Sequence, residues 1–145
     1  MAIELSNESK EICKEDELVA VAAFAIEAMD IHPDSELSIT IVDEDRMSEL
    51  HAEWMDLEGP TDVLSFPMDE LRPNSRKNGP GVIGDIVLCP EFAKKEKIPH
   101  PLDHELALLT VHGVLHCLGY DHADPDEEKV MFALQEKIVK EWQTQ

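Results

Sequence analysis

Three histidines stand at a metal-binding spacing in the stretch VHGVLHCLGYDH, residues 111–122. His112 and His116 are four residues apart, and positions i and i+4 of a helix share one face. Gly119 suits the left-handed turn that ends a helix, so the chain can fold back and bring His122 to the same point. Neutral imidazole nitrogens are preferred ligands of Zn²⁺. The spacing favours one zinc ion per chain on His112, His116 and His122 over three separate hydrogen-bonded core histidines.

The residue after the first histidine separates this stretch from the zinc peptidases. Peptidases with the pattern H-E-x-x-H-x-x-G-x-x-H carry a glutamate base there, whereas this chain has Gly113. Peptide hydrolysis therefore lacks its usual proton acceptor. RNA brings its own nucleophile, the 2′-hydroxyl, and zinc can neutralise charge on a phosphate oxygen. Two roles for Gly113 stay open. It can admit a polymer backbone beside the metal, or it can allow close helix packing.

The number of protein ligands indicates a catalytic site. Structural zinc sites are usually closed by four protein ligands, whereas three leave a position for water. Cys117 follows His116 directly and points away from it, so we interpret it as a packing residue. Tyr120 and Asp121 are candidates to orient the ligands, although Asp121 can equally shape the turn. Glu105, seven residues before His112 on the same helical face, is a further candidate for that role.

Composition and charge restrict the class of protein. A chain of 145 residues fits one domain, residues 1–145. Its three cysteines form no CxxC pair or disulfide framework, and the N-terminus does not resemble a secretion signal, so we expect a cytoplasmic protein. No apolar run reaches the length of a membrane span. The net charge of −20 argues against a general nucleic-acid binder, which leaves a local basic patch as the alternative.

Hydrophobic periodicity predicts an α+β fold with about four strands and five helices. The helix at 102–118 is apolar on nearly every side, which indicates that it is central and buried. Asp124 should cap the last helix, with Pro125 at its first position. The predicted strands cover residues 2–7, 37–42, 63–67 and 82–89. The other predicted helices cover residues 15–29, 43–56, a short segment from Pro90, and 124–142.

Beyond these local patterns, the chain resembles the YbeY family of bacterial endoribonucleases, also called rRNA maturation factors. The stretch HGVLHCLGYDH is similar to the family signature H-G-x-L-H-L-x-G-Y-D-H. Three further segments agree in order and spacing: NES near the start, PTDVLSFP at residues 60–67 and GDIVLCP at residues 84–90. The resemblance covers nearly the whole chain. It implies a single α+β domain in which a central helix bearing two ligands packs against a small mixed sheet.

The resemblance also implies an activity. Family members are zinc-dependent endoribonucleases that cut single-stranded RNA, mature the 3′ end of 16S rRNA and take part in ribosome quality control. The partners implied are an rRNA precursor and the small ribosomal subunit or its assembly factors, with no membrane. The family's zinc ligands correspond to His112, His116 and His122. The sequence does not indicate an oligomeric state, a scissile bond or a general base.

One position departs from the family pattern. Many members carry an arginine in a Y-R segment before PTDV, and this chain has Met55 there. A guanidinium can meet two phosphate oxygens at once, so another cation or the zinc alone must replace it. Arg72 and Arg76, in the loop after VLSFP, are the candidates to compensate. Thr61, Asp62, Ser65 and Asp85 are the polar candidates for the substrate cleft, and each can equally be a turn or strand-end residue.

The sequence therefore predicts a zinc-dependent endoribonuclease acting in rRNA maturation. Two alternatives remain open. One is a zinc hydrolase of another substrate class, either small phosphoesters or peptides. The other is a non-enzymatic ribosome-assembly factor that zinc stabilises. A long groove beside an open metal favours the endoribonuclease, and a fourth protein ligand favours the assembly factor.

Overall fold

A four-stranded mixed sheet organises the chain in the computed structural model, which describes residues 2–55, 61–96 and 99–145, with only the backbone of Met55. The strands are β1 (Ile3–Asn7), β2 (Glu36–Ile41), β3 (Val63–Pro67) and β4 (Val82–Leu88). They are arranged in the order β1-β2-β4-β3. Strands β1, β2 and β4 are parallel neighbours, and β3 pairs antiparallel with β4 at the edge.

Helices cover both faces of the sheet, and each face has its own hydrophobic core. Helix α4 packs against α1, α5, β3 and β4. It is buried along most of its length, as the sequence predicts, with Val111, Val114 and Leu115 fully enclosed. The helices are α1 (Glu15–Ala28), α2 (Glu44–Met55), α3 (Pro90–Lys95), α4 (Leu102–Cys117) and α5 (Pro125–Gln143), with a 3₁₀ turn at Arg76–Asn78.

The two faces of the sheet have separate cores. The larger core joins alternate residues of β2 and β4, such as Ile39 and Ile86, to α1, α4 and α5. The smaller core lies on the opposite face and contains Val87, Leu64 and Met47 of α2. Side chains of a strand alternate between faces, so neighbouring residues of β3 and β4 face different surroundings. This alternation determines which polar residues can reach α4.

The α+β fold with a four-stranded mixed sheet and a central helix is confirmed. Asp124 caps α5 as predicted, since its Oδ1 accepts hydrogen bonds from the backbone N–H groups of Asp126 (3.0 Å) and Glu127 (2.9 Å). Strand β4 runs through Gly84, and its pairing with β2 shifts register beside this residue. Within the described residues, no helix is long and apolar enough to span a membrane.

Candidate metal centre

The three predicted ligand histidines meet at the C-terminal end of α4. Ring centroids of His112 and His116 are 5.9 Å apart, those of His112 and His122 are 5.3 Å apart, and those of His116 and His122 are 5.7 Å apart. His112 and His116 are partly buried and His122 is exposed. Helical spacing brings the first two together, and the turn after α4 supplies the third.

The turn after α4 depends on Gly119. Its φ of +103° lies in the region that favours glycine. Two backbone hydrogen bonds close the turn, from Gly119 N–H to the His116 carbonyl and from Tyr120 N–H to the Leu115 carbonyl, each 3.1 Å. This is the Schellman arrangement that ends many helices. It reverses the chain within a few residues and places His122 beside the last turn of α4.

Two hydrogen bonds orient the ring nitrogens. The Nδ1–H of His116 donates to the backbone carbonyl of Tyr120 (2.7 Å), which can only accept. Nδ1 of His112 lies 2.9 Å from Oε1 of Gln135 on α5 and donates to it. With Nδ1 protonated in both neutral rings, the Nε2 lone pairs are left for a metal ion, the usual arrangement of ligand histidines. The donor set therefore fits Zn²⁺.

Asp121 belongs to the same cluster. One ligand atom from each of His116, Asp121 and His122 lies within 4.8 Å of the others, a group that could hold a metal ion. One Asp121 oxygen, Oδ1, also accepts a hydrogen bond from the His122 N–H (2.7 Å). His112 is not in this closest group, although its ring adjoins both other rings. The structure therefore places a carboxylate beside two of the three histidines that the sequence predicts as ligands.

The environment of His112 favours the form that binds metals. Burial lowers the pKa of its imidazole, and the neighbouring His122 and His116 lower it further. The hydrogen bond to Gln135 and the charge of Asp62 act in the opposite direction. Burial is the largest effect, so the neutral ring is favoured. A neutral imidazole is the ligand that zinc requires.

A cavity of about 550 Å³ opens beside the histidines, between α4, α5, α2 and β3. Its volume lies within the range of small-molecule sites. Three predicted cleft residues, Thr61, Asp62 and Ser65, line it. Burial raises the pKa of the Asp62 carboxyl, backbone hydrogen bonds at Asp62 and Val63 oppose this, and Glu105 raises it again.

The other predicted cleft residues do not line this cavity. Asp85 is on the opposite face of β4 from α4 and lines a cavity with Trp54 and Phe66. Arg76 lies on another surface with Asp30 and Asn74.

Arg72 is nearer but does not line the cavity. Its guanidinium packs on Gly119, where a Cβ would lie 2.6 Å from Nη1. There it faces the C-terminal end of α4, which attracts positive charge. The side chain of Met55 lies outside what the structure describes.

The structure decides between the two roles of Gly113 in favour of close packing. An added Cβ would lie 2.9 Å from Cδ1 and Cγ2 of Ile86 on β4. The residue faces the sheet and does not face the cavity. Cys117 also packs on β4 as predicted, with its Sγ beside Gly84, and burial raises the pKa of its thiol to about 12.

Several cavity residues were not predicted from sequence. Glu105 was one candidate to orient a ligand histidine, and its Oε1 pairs with Nε2 of His100 at 2.7 Å. Gln135 orients His112 instead. No local pattern identifies Gln135, because its contact depends on how α5 crosses α4. His51 of α2 and Phe132 of α5 also line the cavity.

Comparison with known proteins gives one consistent family. The family profile described as Endoribonuclease YbeY matches residues 3–143. The Endoribonuclease YbeY of Mycolicibacterium smegmatis is 61% identical, over 98% of this chain and 83% of that protein. The protein of the same name from Nocardia farcinica is 61% identical, over 98% of this chain and 80% of its own length. The solution structure of a Thermotoga maritima protein matches with a TM-score of 0.62 and 27% identity, over 97% of this chain and 88% of that one.

The profile match extends over nearly the whole chain and includes β3, α4 and the turn that carries His122. The identity to relatives is high across the same span. The chain therefore belongs to the Endoribonuclease YbeY family, whose name denotes cleavage within RNA.

Proposed function

We propose that this chain is a zinc-dependent endoribonuclease that cuts single-stranded RNA in the cytoplasm. Its proposed roles are maturation of the 16S rRNA 3′ end and ribosome quality control. One zinc ion is held by His112, His116 and His122. The observation that supports this most strongly is the pair of Nδ1 hydrogen bonds, to Gln135 and to the Tyr120 carbonyl, which leave both Nε2 atoms for a metal.

The residues of the cavity suit a nucleotide. When bound, the ion would supply positive charge opposite a phosphate oxygen and lower the pKa of water. The hydroxyls of Thr61 and Ser65 can donate to phosphate or sugar oxygens, and the Asp62 carboxylate can accept from a hydroxyl or amino group. The partly exposed Phe132 ring beside His112 and His122 offers a surface for a base (ring centroids 6.0 Å from each).

The concave shape of the site supports a single-strand preference. A nucleotide in a duplex must unpair and unstack before it can enter a concave site, at a cost of a few kcal/mol. No lysine or arginine is among the described residues that line the cavity, so little counterion-release energy is available to offset that cost. We therefore propose that the small subunit or an assembly factor presents the RNA to this acidic protein.

The test compares RNA cleavage and metal content in three proteins. Wild type should bind one zinc per chain and cut a labelled single strand at least about tenfold faster than the same strand in a duplex, which equals about 1.4 kcal/mol. His116→Ala should lose both the metal and the cleavage. His104→Ala is the matched control, since His104 also lies on α4 but bonds to Gln143 outside the cavity, and it should keep both. Full zinc occupancy and full activity in His116→Ala would refute the proposal.

Asp121 supports a second candidate, the zinc-stabilised assembly factor. If its carboxylate were a fourth protein ligand, the ion would be closed to substrate, as in structural sites. Asp121→Asn separates the two functions. An open catalytic site predicts that this variant keeps zinc and cleaves RNA, whereas a closed structural site predicts loss of zinc and of folding stability.

A further inference from the structure

His100 and Glu105 form a second polar pair inside the metal cavity. Nε2 of His100 and Oε1 of Glu105 are 2.7 Å apart, and their side chains are only 24% and 17% exposed. Both line the same cavity as the ligand histidines. A carboxylate oxygen accepts, so Nε2 donates and Nδ1 is the acceptor in the neutral ring. The pair is fixed, partly buried and in contact with the space where a substrate would lie.

The pair lies away from the metal ligands. Glu105 precedes His112 by seven residues on α4, which corresponds to about 10 Å along the helix axis. The Asp62 carboxyl is near enough to interact electrostatically with both Glu105 and His112. We define Thr61, Asp62, His100 and Glu105 as the distal end of the cavity. The axial separation of Glu105 from His112, about 10 Å, resembles the length of one nucleotide from its phosphate to the far edge of its base.

The charges of the distal end exclude a phosphate. Asp62 and Glu105 contribute carboxylates, and Glu96 lies near enough to interact with both. No lysine or arginine is found among the cavity-lining residues that the structure describes. A phosphate there would meet like charge without compensation. The acceptor oxygens instead require a hydrogen-bond donor from the ligand.

We propose that the distal end is a nucleobase subsite that selects cytosine over uracil for the nucleotide whose phosphate faces the metal ligands. This inference rests on the proposed function, because it takes RNA as the ligand. Cytosine presents its N4 amino group as a donor, and carboxylates accept from that group in known base recognition. Uracil presents its O4 acceptor at the same place, and the carboxylate oxygens repel that oxygen. Imidazole rings also stack on bases, which gives His100 a contact common to both pyrimidines.

The size of the preference follows from the N4 hydrogen bond, which cytosine donates and uracil, with a carbonyl at C4, does not. A well-formed pair of base contacts discriminates against the wrong base by roughly five-fold to about 150-fold. One carboxylate contact to N4, partly shared with His100, should lie near the lower part of this range. We expect cytosine to be preferred by on the order of tenfold. Glu105 is therefore a specificity-determining residue, and His100 positions its carboxylate.

The test measures binding of 3′-CMP and 3′-UMP to the full chain by calorimetry. These nucleotides differ only in the groups at N3 and C4 of the base. Wild type should bind 3′-CMP about tenfold more tightly than 3′-UMP. Glu105→Gln should bring the two affinities close together, because the amide also offers a donor to O4. Glu136→Gln is the matched control, since it removes a carboxylate from the exposed rim of the same cavity and should keep the preference.

Several results would overturn the inference. These are equal affinities for the two nucleotides in wild type, binding of neither, and a preference that survives in Glu105→Gln. A purely structural pair would lower the melting temperature of the variant without changing the affinity ratio. His100→Asn supplies the same test if Glu105→Gln fails to fold. Binding is measured with zinc-loaded and metal-free chain, so a failure of zinc binding or of RNA cleavage leaves the base preference measurable.

Discussion

At the scale of single residues, the ligand histidines are oriented by groups outside their own turn of helix. The Tyr120 carbonyl fixes His116, and Gln135 fixes His112. The first contact is local, because it follows from the turn at Gly119, and the sequence predicts that turn. The second joins residues 23 positions apart. Such a contact is set by the packing of α5 on α4, which no spacing rule reveals.

Gln135 therefore offers a test at this scale. Gln135→Ala should weaken zinc affinity by roughly 10- to 100-fold, because partners of ligand histidines contribute that much to metal binding. Competition with a coloured chelator measures the change. Glu136→Gln, a substitution at the next position on the exposed rim, is the control and should bind zinc like wild type. Unchanged affinity in Gln135→Ala would show that the hydrogen bond does not orient the ligand.

At the scale of elements, strand and helix positions follow the sequence closely, because periodicity, the Asp124 cap and the glycine turn are local signals. The direction in which individual side chains point is predicted less well from the sequence. Ser65 of β3 faces the cavity, whereas Asp85 of β4 faces the opposite side of the sheet. Both were predicted cleft residues. The alternation along each strand is evident in the sequence, but which alternate face meets α4 depends on the assembled sheet.

Gly113 gives the prediction for this scale, since it determines how closely α4 approaches β4. Gly113→Ala gains helix propensity of about 1 kcal/mol. The added methyl group would press on Ile86 at 2.9 Å, and overpacking of a core costs about 1–3 kcal/mol. The free energy of unfolding, measured with urea, should therefore fall by up to about 2 kcal/mol. A more stable variant would show that the helix and strand have room to separate.

At the scale of the whole molecule, charge sets the conditions for function. The chain carries a net charge of −20, and the basic residues proposed to compensate for Met55, Arg72 and Arg76, lie outside the cavity. The sequence shows the charge imbalance directly. It does not show that histidines line the cavity, or that the described lining residues include no lysine or arginine. That arrangement depends on how α2, α4 and the loop before α4 converge.

The pH dependence of folding should report on the buried histidine. Burial lowers the pKa of His112 in the folded chain, while an unfolded histidine titrates near about 6.5. The unfolded state then binds protons more readily, so this contribution to stability is complete above about pH 6.5 and is lost as the pH falls below it. For metal-free protein, the urea midpoint should be lower at about pH 5.5 than at about pH 7.5.

His112→Gln is the control for that experiment. It lacks the titrating ring but keeps a polar side chain, so its midpoint should fall less over the same range. The two proteins differ only at this position, so the difference between the two curves isolates His112. An equal fall in both proteins would assign the pH dependence to other groups.

The most direct test of the zinc endoribonuclease account is reconstitution of cleavage by metal. Protein stripped with a chelator is titrated with zinc, and the cutting of a labelled single-stranded RNA from the 3′ end of the 16S precursor is followed. The account predicts no cleavage without metal, a rise that saturates at one zinc per chain, and no rise in His116→Ala. Full cleavage by the stripped protein, or restored cleavage in His116→Ala, would contradict it.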